Sequence, residues 1–311
     1  MDRNLIRIRT LDKEDITKIL DQSKVFLEIL DRPIKKVPAL RGKVVVTLFF
    51  EPSTRTRMSF ELAAKMLSAD VLNFAASTSS AVKGESLKDT ALTMKALGAD
   101  YIVVRHTHTG APEFIAKQGD FRVINGGDGF GEHPTQALLD LFTIRQKLGR
   151  LEGLNVAIMG DIAHSRVARS NIFALTKMGA NVRLVAPPTM LPVNIEKLGA
   201  QVHYRPDAIF EDTDVLYLLR VQTERQKDSL LPSLKEYAEL FGVNGDLLSK
   251  FKKDVIVMHP GPINRGVEIS HDVADGNDTY IEEQVRNGLV VRMAVLYLLE
   301  GGKEAAHEAV N

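Results

Sequence analysis

Cysteine is absent from all 311 residues. That absence excludes disulfides, thiolate zinc sites, iron–sulfur clusters and a cysteine nucleophile. Net charge is missing too: 40 Lys and Arg against 40 Asp and Glu give a formal charge of zero. No overall field therefore draws in nucleic acid or an anionic membrane, and anion binding must come from local clusters of Arg and Lys. Long apolar runs are also lacking. Arg292 interrupts the C-terminal one, and no segment approaches the ~20 apolar residues of a membrane helix. The opening MDRNLIRIRT carries charges at Asp2, Arg3, Arg7 and Arg9 with no apolar run behind them, unlike a secretory signal. A cytoplasmic protein is the expectation. The chain contains no G-x-G-x-x-G fingerprint and no Walker A loop, which argues against dinucleotide binding and nucleotide-driven phosphoryl transfer. Internal repeats and low-complexity tracts are missing as well.

What is present belongs to a globular protein: 44% apolar and 26% charged residues. A single core stops growing at roughly 250–300 residues, so this length predicts two domains. Short β-branched runs recur at 43–50, 101–105, 121–125, 154–159, 181–186, 214–220 and 254–258. Helical periods fall near 11–30, 55–68, 86–98, 134–149, 165–178 and 281–299. Near-continuous apolar strands alternating with helices predict an α/β protein with parallel sheet covered on both faces. The 134–149 helix is the clearest, with Pro134 suited to its first position, an apolar stripe of Leu138, Leu141, Phe142 and Ile144, and Gly149 at its end. The turn at 150–153 precedes a fresh strand, so the expected domains are 1–150 and 151–285. The last helix is apolar enough to pack on something.

Ligands of open α/β sheets sit beyond the carboxyl ends of strands, and here those ends are loaded with polar residues. Strand 43–50 runs into Glu51-Pro52-Ser53-Thr54-Arg55-Thr56-Arg57. Ser53 or Thr54 would cap a helix starting near Arg55, and a helix N-terminus with hydroxyls and a guanidinium nearby suits phosphate. An ordinary capped helix with surface arginines is the competing reading. Strand 101–105 ends in Arg105-His106, and strand 121–125 leads through glycines to His133-Pro134-Thr135-Gln136. His133 and Gln136 at a helix mouth can both hydrogen-bond a carbonyl group, though a lone histidine is as often a satisfied structural one. No second ligand follows at metal spacing. GDIAHSR after strand 154–159 places Arg166 at the opening of a helix, where it is either a ligand or a solvated arginine. Strands 214–220 and 254–258 end in Arg220-Val221-Gln222 and His259-Pro260-Gly261-Pro262.

Five of these motifs, FFEPSTRTRMSFE, RH at 105–106, HPTQALLDLF, RVQTER and HPGPINRG, resemble in kind and order the set of aspartate carbamoyltransferase catalytic chains. The resemblance spans nearly the whole chain. It implies a carbamoyl-phosphate domain, an aspartate domain, and a C-terminal helix (286–311) returning to the first. It implies transfer of the carbamoyl group of carbamoyl phosphate to L-aspartate, giving N-carbamoyl-L-aspartate and phosphate, an early step of pyrimidine synthesis, with no cofactor and no metal. Carbamoyl phosphate would be held by Ser53, Thr54, Arg55, Thr56, Arg105, His133 and Gln136 and by the Pro260-Gly261-Pro262 turn. Thr56, Arg105 and His133 would donate to the carbonyl oxygen. Arg166, Arg220, Gln222 and Lys83 would hold aspartate. The family's homotrimers share sites between subunits, and Ser79 and Lys83 match the residues that the neighbour contributes. Regulatory chains or a pathway enzyme stand as further partners, and nucleic acid and membrane do not. Gly261 departs from a leucine found in some members, and the turn's role should survive because backbone carbonyls perform it. Ornithine carbamoyltransferases share S-T-R-T-R and H-P-x-Q but carry H-C-L-P at the last motif. An ornithine or other amino-acid acceptor is the alternative reading, and a non-catalytic binding paralogue is a more distant one.

Overall fold

The computed structural model describes residues 3–75, 84–222 and 233–301. The chain forms two compact units, Met1–Phe142 with Val285–Asn311, and Thr143–Gln284. The division points fall within two long helices, not at the 150–153 turn.

The first unit runs α1 (Lys13–Leu30), β1 (Val44–Phe49), α2 (Thr54–Met66), β2 (Asp70–Ala75), α3 (Leu87–Ala96), β3 (Tyr101–His106), α4 (Ala111–Ala116), β4 (Arg122–Asp128) and α5 (Pro134–Leu148). Its sheet is parallel, in the order β2-β1-β3-β4. Val46, Leu48, Ile102, Val104 and Val123 pack with Ala91, Met94, Ile115 and Phe121 in its core, each large side chain contributing about 1.5–3 kcal/mol. The second unit runs β5 (Asn155–Met159), α6 (Arg166–Lys177), β6 (Asn181–Val185), β7 (Ala200–His203), β8 (Val215–Leu218), α7 (Leu234–Phe241), α8 (Gly245–Leu248), β9 (Ile256–Met258) and α9 (His271–Ala274), and the chain leaves it through α10 (Ile281–Leu299), which belongs to the first unit from Val285 on. Its parallel sheet has the order β7-β6-β5-β8-β9.

Both sheets are α/β, as expected, but β2 and β7 were not foreseen. They are outer strands, and neither has the buried apolar run that marks the others: Leu72 is 43% exposed and Gln201 is exposed. Alpha10 returns to the first unit, as expected. Val290, Val291, Met293, Ala294, Val295 and Leu296 are buried, and Tyr297 packs edge-on against Phe26 at 5.6 Å. Arg292, the charge that breaks the apolar run, is itself buried. It lies over the Phe60 ring, and burial pushes its guanidinium down to about 10 while Asp140 works the other way. No helix among the described residues is long and apolar enough to cross a membrane.

Candidate active site

Each sheet has one point where successive connections leave in opposite directions, and a crevice opens there at the carboxyl ends of the strands. In the first unit this point lies between β1 and β3. The two strands end in register, Phe49 opposite Arg105, and Phe50 donates its backbone N–H to Arg105 O at 2.8 Å. The segment leaving β1 turns at once into α2, whose N-cap is Ser53. The Ser53 side chain accepts no hydrogen bond from the first turn, so the helix presents its N-terminal amides to the crevice. Thr54 and Arg55 are exposed and Thr56 is buried. Arg105 Nε lies 2.8 Å from Glu51 Oε1, and Arg105 Nη1 donates to Gly126 O at 3.2 Å. Two groups thus aim this guanidinium across the β1–β3 crevice.

Beta4 delivers the next residues through a loop built on buried polar groups. Asp128 Oδ1 accepts from Asn125 Nδ2 at 3.0 Å and from the Glu132 amide at 2.9 Å, and Asp128 Oδ2 accepts from the Gly110 amide at 2.8 Å. A Cβ on Gly131 would sit 2.7 Å from Asp128 Oδ1, so only glycine leaves the carboxylate room there. Glu132 Oε2 accepts from the Ile8 amide at 2.6 Å, and Arg9 Nε lies 3.2 Å from Glu132 Oε1. Burial raises the Glu132 carboxyl above its ordinary range, against the pull of the Arg9 and Ile8 amides. This network delivers His133, which is 4% exposed, to the mouth of α5. One turn on, Gln136 donates from Nε2 to Asp140 Oδ1 at 3.0 Å. With Nε2 engaged, Oε1 is the atom Gln136 can offer a ligand, as an acceptor. His106, tilted against the Phe50 ring at 4.8 Å, is pushed down by burial and by His108.

In the second unit the corresponding point lies between β5 and β8. Gly160 follows β5 at φ +133, with no room for a side chain because a Cβ would meet Leu219 O at 2.5 Å. Asp161, fully buried, accepts from the Gln222 amide at 3.2 Å through Oδ2, and its Oδ1 lies 2.8 Å from His164 Nδ1. Gln222 Nε2 donates to His164 O at 3.3 Å. Ser165 caps α6 by accepting from the Ala168 amide, and Arg166 opens the helix. Arg166 is 4% exposed, which removes the solvated-arginine reading. Arg220 follows β8, the strand paired with β5, and is half-buried. Beta9 ends in His259 and the Pro260-Gly261-Pro262 turn, with Gly261 at φ +60 and a cis bond to Pro262.

The expected residues thus gather in two groups: Ser53, Thr54, Arg55, Thr56, Arg105, His133 and Gln136 in the first unit, and Arg166, Arg220, Gln222, Gly261 and Pro262 in the second. Ser79 and Lys83 lie outside the described residues. The sequence reading overlooked the supporting acids Asp128, Glu132 and Asp161. Their one visible signal was acidic residues set among glycines at strand ends. Among the described residues, no group of three or more His, Asp and Glu is placed to hold a metal.

Residues 3–146 match the family described as aspartate/ornithine carbamoyltransferase, carbamoyl-P binding domain. Residues 152–299 match its Asp/Orn binding domain. The chain is similar to the aspartate carbamoyltransferase catalytic subunit of Desulforudis audaxviator, at 57% identity over 97% of this chain and 98% of that one. The corresponding subunit of Pelotomaculum thermopropionicum is 58% identical, with 96% and 97% covered. Among solved structures, aspartate transcarbamoylase from Trypanosoma cruzi in complex with N-(phosphonacetyl)-L-aspartic acid superposes with a TM-score of 0.87 at 31% identity, covering 94% of each chain. The catalytic subunit of the M. jannaschii enzyme gives 0.85 at 36% identity, over 97% of this chain and 99% of that one. Both halves of the chain match, and the fold superposes on solved members: the chain belongs to the aspartate/ornithine carbamoyltransferase family.

Proposed function

We infer that this protein is an aspartate carbamoyltransferase, moving the carbamoyl group of carbamoyl phosphate onto the amine of L-aspartate. The observation that carries the acceptor assignment is Arg166, a buried guanidinium at the N-terminus of α6 with Arg220 on the adjacent strand end. Two arginines and a helix N-terminus favour two carboxylates, and they would repel the side-chain ammonium of ornithine. Relatives with the name of the aspartate enzyme, at 55–58% identity over nearly the full chain, support the same assignment. So does the T. cruzi aspartate transcarbamoylase solved in complex with carbamoyl phosphate and aspartate.

The phosphate is taken by the N-terminal amides of α2, by the hydroxyls of Ser53, Thr54 and Thr56, and by Arg55 and Arg105. Arg105 exchanges Glu51 for the dianion. Thr56, Arg105 and His133 donate to the carbonyl oxygen, and their help is greatest as it becomes an oxyanion. Gln136 Oε1 and the carbonyls of the Pro260–Pro262 turn accept from the carbamoyl NH₂. Arg166, Arg220 and Gln222 orient aspartate. Its amine attacks directly, phosphate leaves, and the leaving phosphate is the proton acceptor. No side chain acts as a covalent nucleophile, so catalysis comes from orientation and preorganised charge. The working form is a cytoplasmic homotrimer in which the neighbouring subunit supplies Ser79 and Lys83.

Incubation with carbamoyl phosphate and aspartate or ornithine, with the product identified by mass, tests this reading. N-Carbamoyl-L-aspartate is the expected product. Carbamoylation of ornithine alone would sink the acceptor assignment.

A further inference from the structure

The turn that follows β9 is built around the imidazole of His259. Gly261 donates its backbone N–H to His259 Nδ1 at 2.8 Å, so that nitrogen is an acceptor and carries no proton. The other ring nitrogen, Nε2, lies 3.3 Å from Glu268 Oε1. A neutral imidazole with Nδ1 accepting has its single proton on Nε2, which faces the carboxylate without closing a well-aligned hydrogen bond to it. The opposite tautomer would set two N–H groups against each other at 2.8 Å. The His259 and Glu268 side chains are 0% and 1% exposed.

The same carboxylate oxygen also fixes the far side of the turn, since Glu268 Oε1 accepts from the Asn264 amide at 2.6 Å. Asn264 Nδ2 in turn donates to Val221 O at 3.1 Å, between Arg220 and Gln222. At the near side, the His259 amide donates to Gln284 Oε1 at 2.9 Å. Residues 259–264 are thus pinned at one end to Gln284 and at the other to a buried acid, and Gly261 at φ +60 is held by the ring in between. Burying a carboxylate costs several kcal/mol unless it is well hydrogen-bonded, and apolar residues of similar volume would pack as well. Here the cost is met where a backbone turn has to keep one orientation.

We propose that His259, with its tautomer set by the Gly261 amide, is a positioning residue that aims the carbonyls of the Pro260–Pro262 turn at the carbamoyl amide of the substrate. The proposal rests on the reading of this protein as a carbamoyltransferase, and the wild-type assay above tests that reading separately. The decisive atom is the acceptor at the δ position, which asparagine retains and glutamine does not.

Full-length His259→Asn, His259→Gln and His259→Ala are compared by steady-state kinetics in carbamoyl phosphate, with inhibition by inorganic phosphate as the control. Loss of the turn's hydrogen bond should raise KM for carbamoyl phosphate about tenfold or more in the Gln and Ala variants. The Asn variant should stay within about threefold, and phosphate inhibition should stay within about threefold in all, because the phosphate grip belongs to α2 and Arg105. Equal impairment of the Asn and Gln variants would overturn the proposal. So would phosphate inhibition that weakens in step with carbamoyl phosphate, or wild-type KM in all three. Should thermal melts show these variants unfolded, Glu268→Gln decides, since its Oε1 still accepts from Asn264 and the ring keeps its bond from Gly261. A KM within about threefold of wild type is expected, and a tenfold rise would refute the idea.

Discussion

Arg105 is held by an acid and a carbonyl, Glu51 and Gly126 O, and a bound dianion has to compete with both for its donors. That competition is favourable only if the new partner carries more charge than the old one, which a phosphate does. Arg105→Ala should therefore lose on the order of 10²–10³ or more in kcat, the range for a lost oxyanion donor, while its thermal melt stays near wild type. Near-normal turnover would remove Arg105 from the chemistry. Arg105→Lys should not rescue fully, because a point charge cannot reproduce a two-pronged contact. Arg220→Ala should raise KM for aspartate by about 10²-fold, the scale of a lost charge-assisted contact, with KM for carbamoyl phosphate nearly unchanged; equal weakening of both would show that the acceptor groups are misassigned. These basic and hydroxyl residues were legible in the sequence because they cluster within a few positions of a strand end. Asp128, Glu132 and Glu268 were not. The value of Glu132 lies in the amide of Ile8, 124 positions away, and no local spacing encodes such a pairing.

The strands divide in the same way. Beta4 and β9 are outer strands that the apolar pattern still revealed, and the structure supplies the reason. Leu5 pairs with Ile124 and covers β4, while Thr279 pairs with Val257 and covers β9. A covered edge can carry a continuous apolar run, and one that meets water cannot without inviting aggregation. Beta7 carries Gln201 and His203 instead, and the Val71-Leu72 and Phe74-Ala75 pairs of β2 are separated by Asn73, so neither offers a continuous apolar run. Helices were more legible: 281–299 was expected and α10 spans Ile281–Leu299. What periodicity could not show is how its end is fastened. Glu300 meets Lys43 at 3.0 Å and Arg122 at 3.1 Å and accepts from the Tyr101 hydroxyl, and Arg122 Nε donates to Leu299 O at 2.8 Å. Glu300→Ala should cost about 1–3 kcal/mol in urea unfolding, because it strips partners from a buried hydroxyl and two cations. The hydrogen bond that Lys43 donates to Glu300 raises the Lys43 pKa above its ordinary 10.5. A raised lysine contributes stability that is full below 10.5 and fades as pH climbs through the raised value, so the gap between Glu300→Ala and wild type should narrow in that alkaline window. The Tyr101 hydroxyl, also raised by burial and by Glu300, acts in the same direction, so a gap indifferent to alkaline pH would assign it to Arg122 alone.

At the scale of the whole molecule, strand order was the least legible feature, because it depends on pairings between residues tens of positions apart. Yet the orders β2-β1-β3-β4 and β7-β6-β5-β8-β9 decide which loaded strand ends become neighbours, and so which loops hold anion sites. A protein with no net charge has no long-range field to gather its two acidic substrates, and every cation has to be placed locally. On the proposed trimer one such cation, Lys83, comes from the next subunit. A ring of identical heterologous contacts then makes each site the joint product of two chains, and that is measurable without any structure. Arg105→Ala and Lys83→Ala trimers should each be nearly inactive, since every site lacks one group. After dissociation and reassembly of a 1:1 mixture, about one site in four should pair an intact Arg105 with an intact neighbouring Lys83, and activity should return to about a quarter of wild type. Sites complete within a single chain would gain nothing from mixing, because each chain would keep its own defect. Mixed trimers that form, as seen by native mass spectrometry, but stay inactive would therefore refute the shared site.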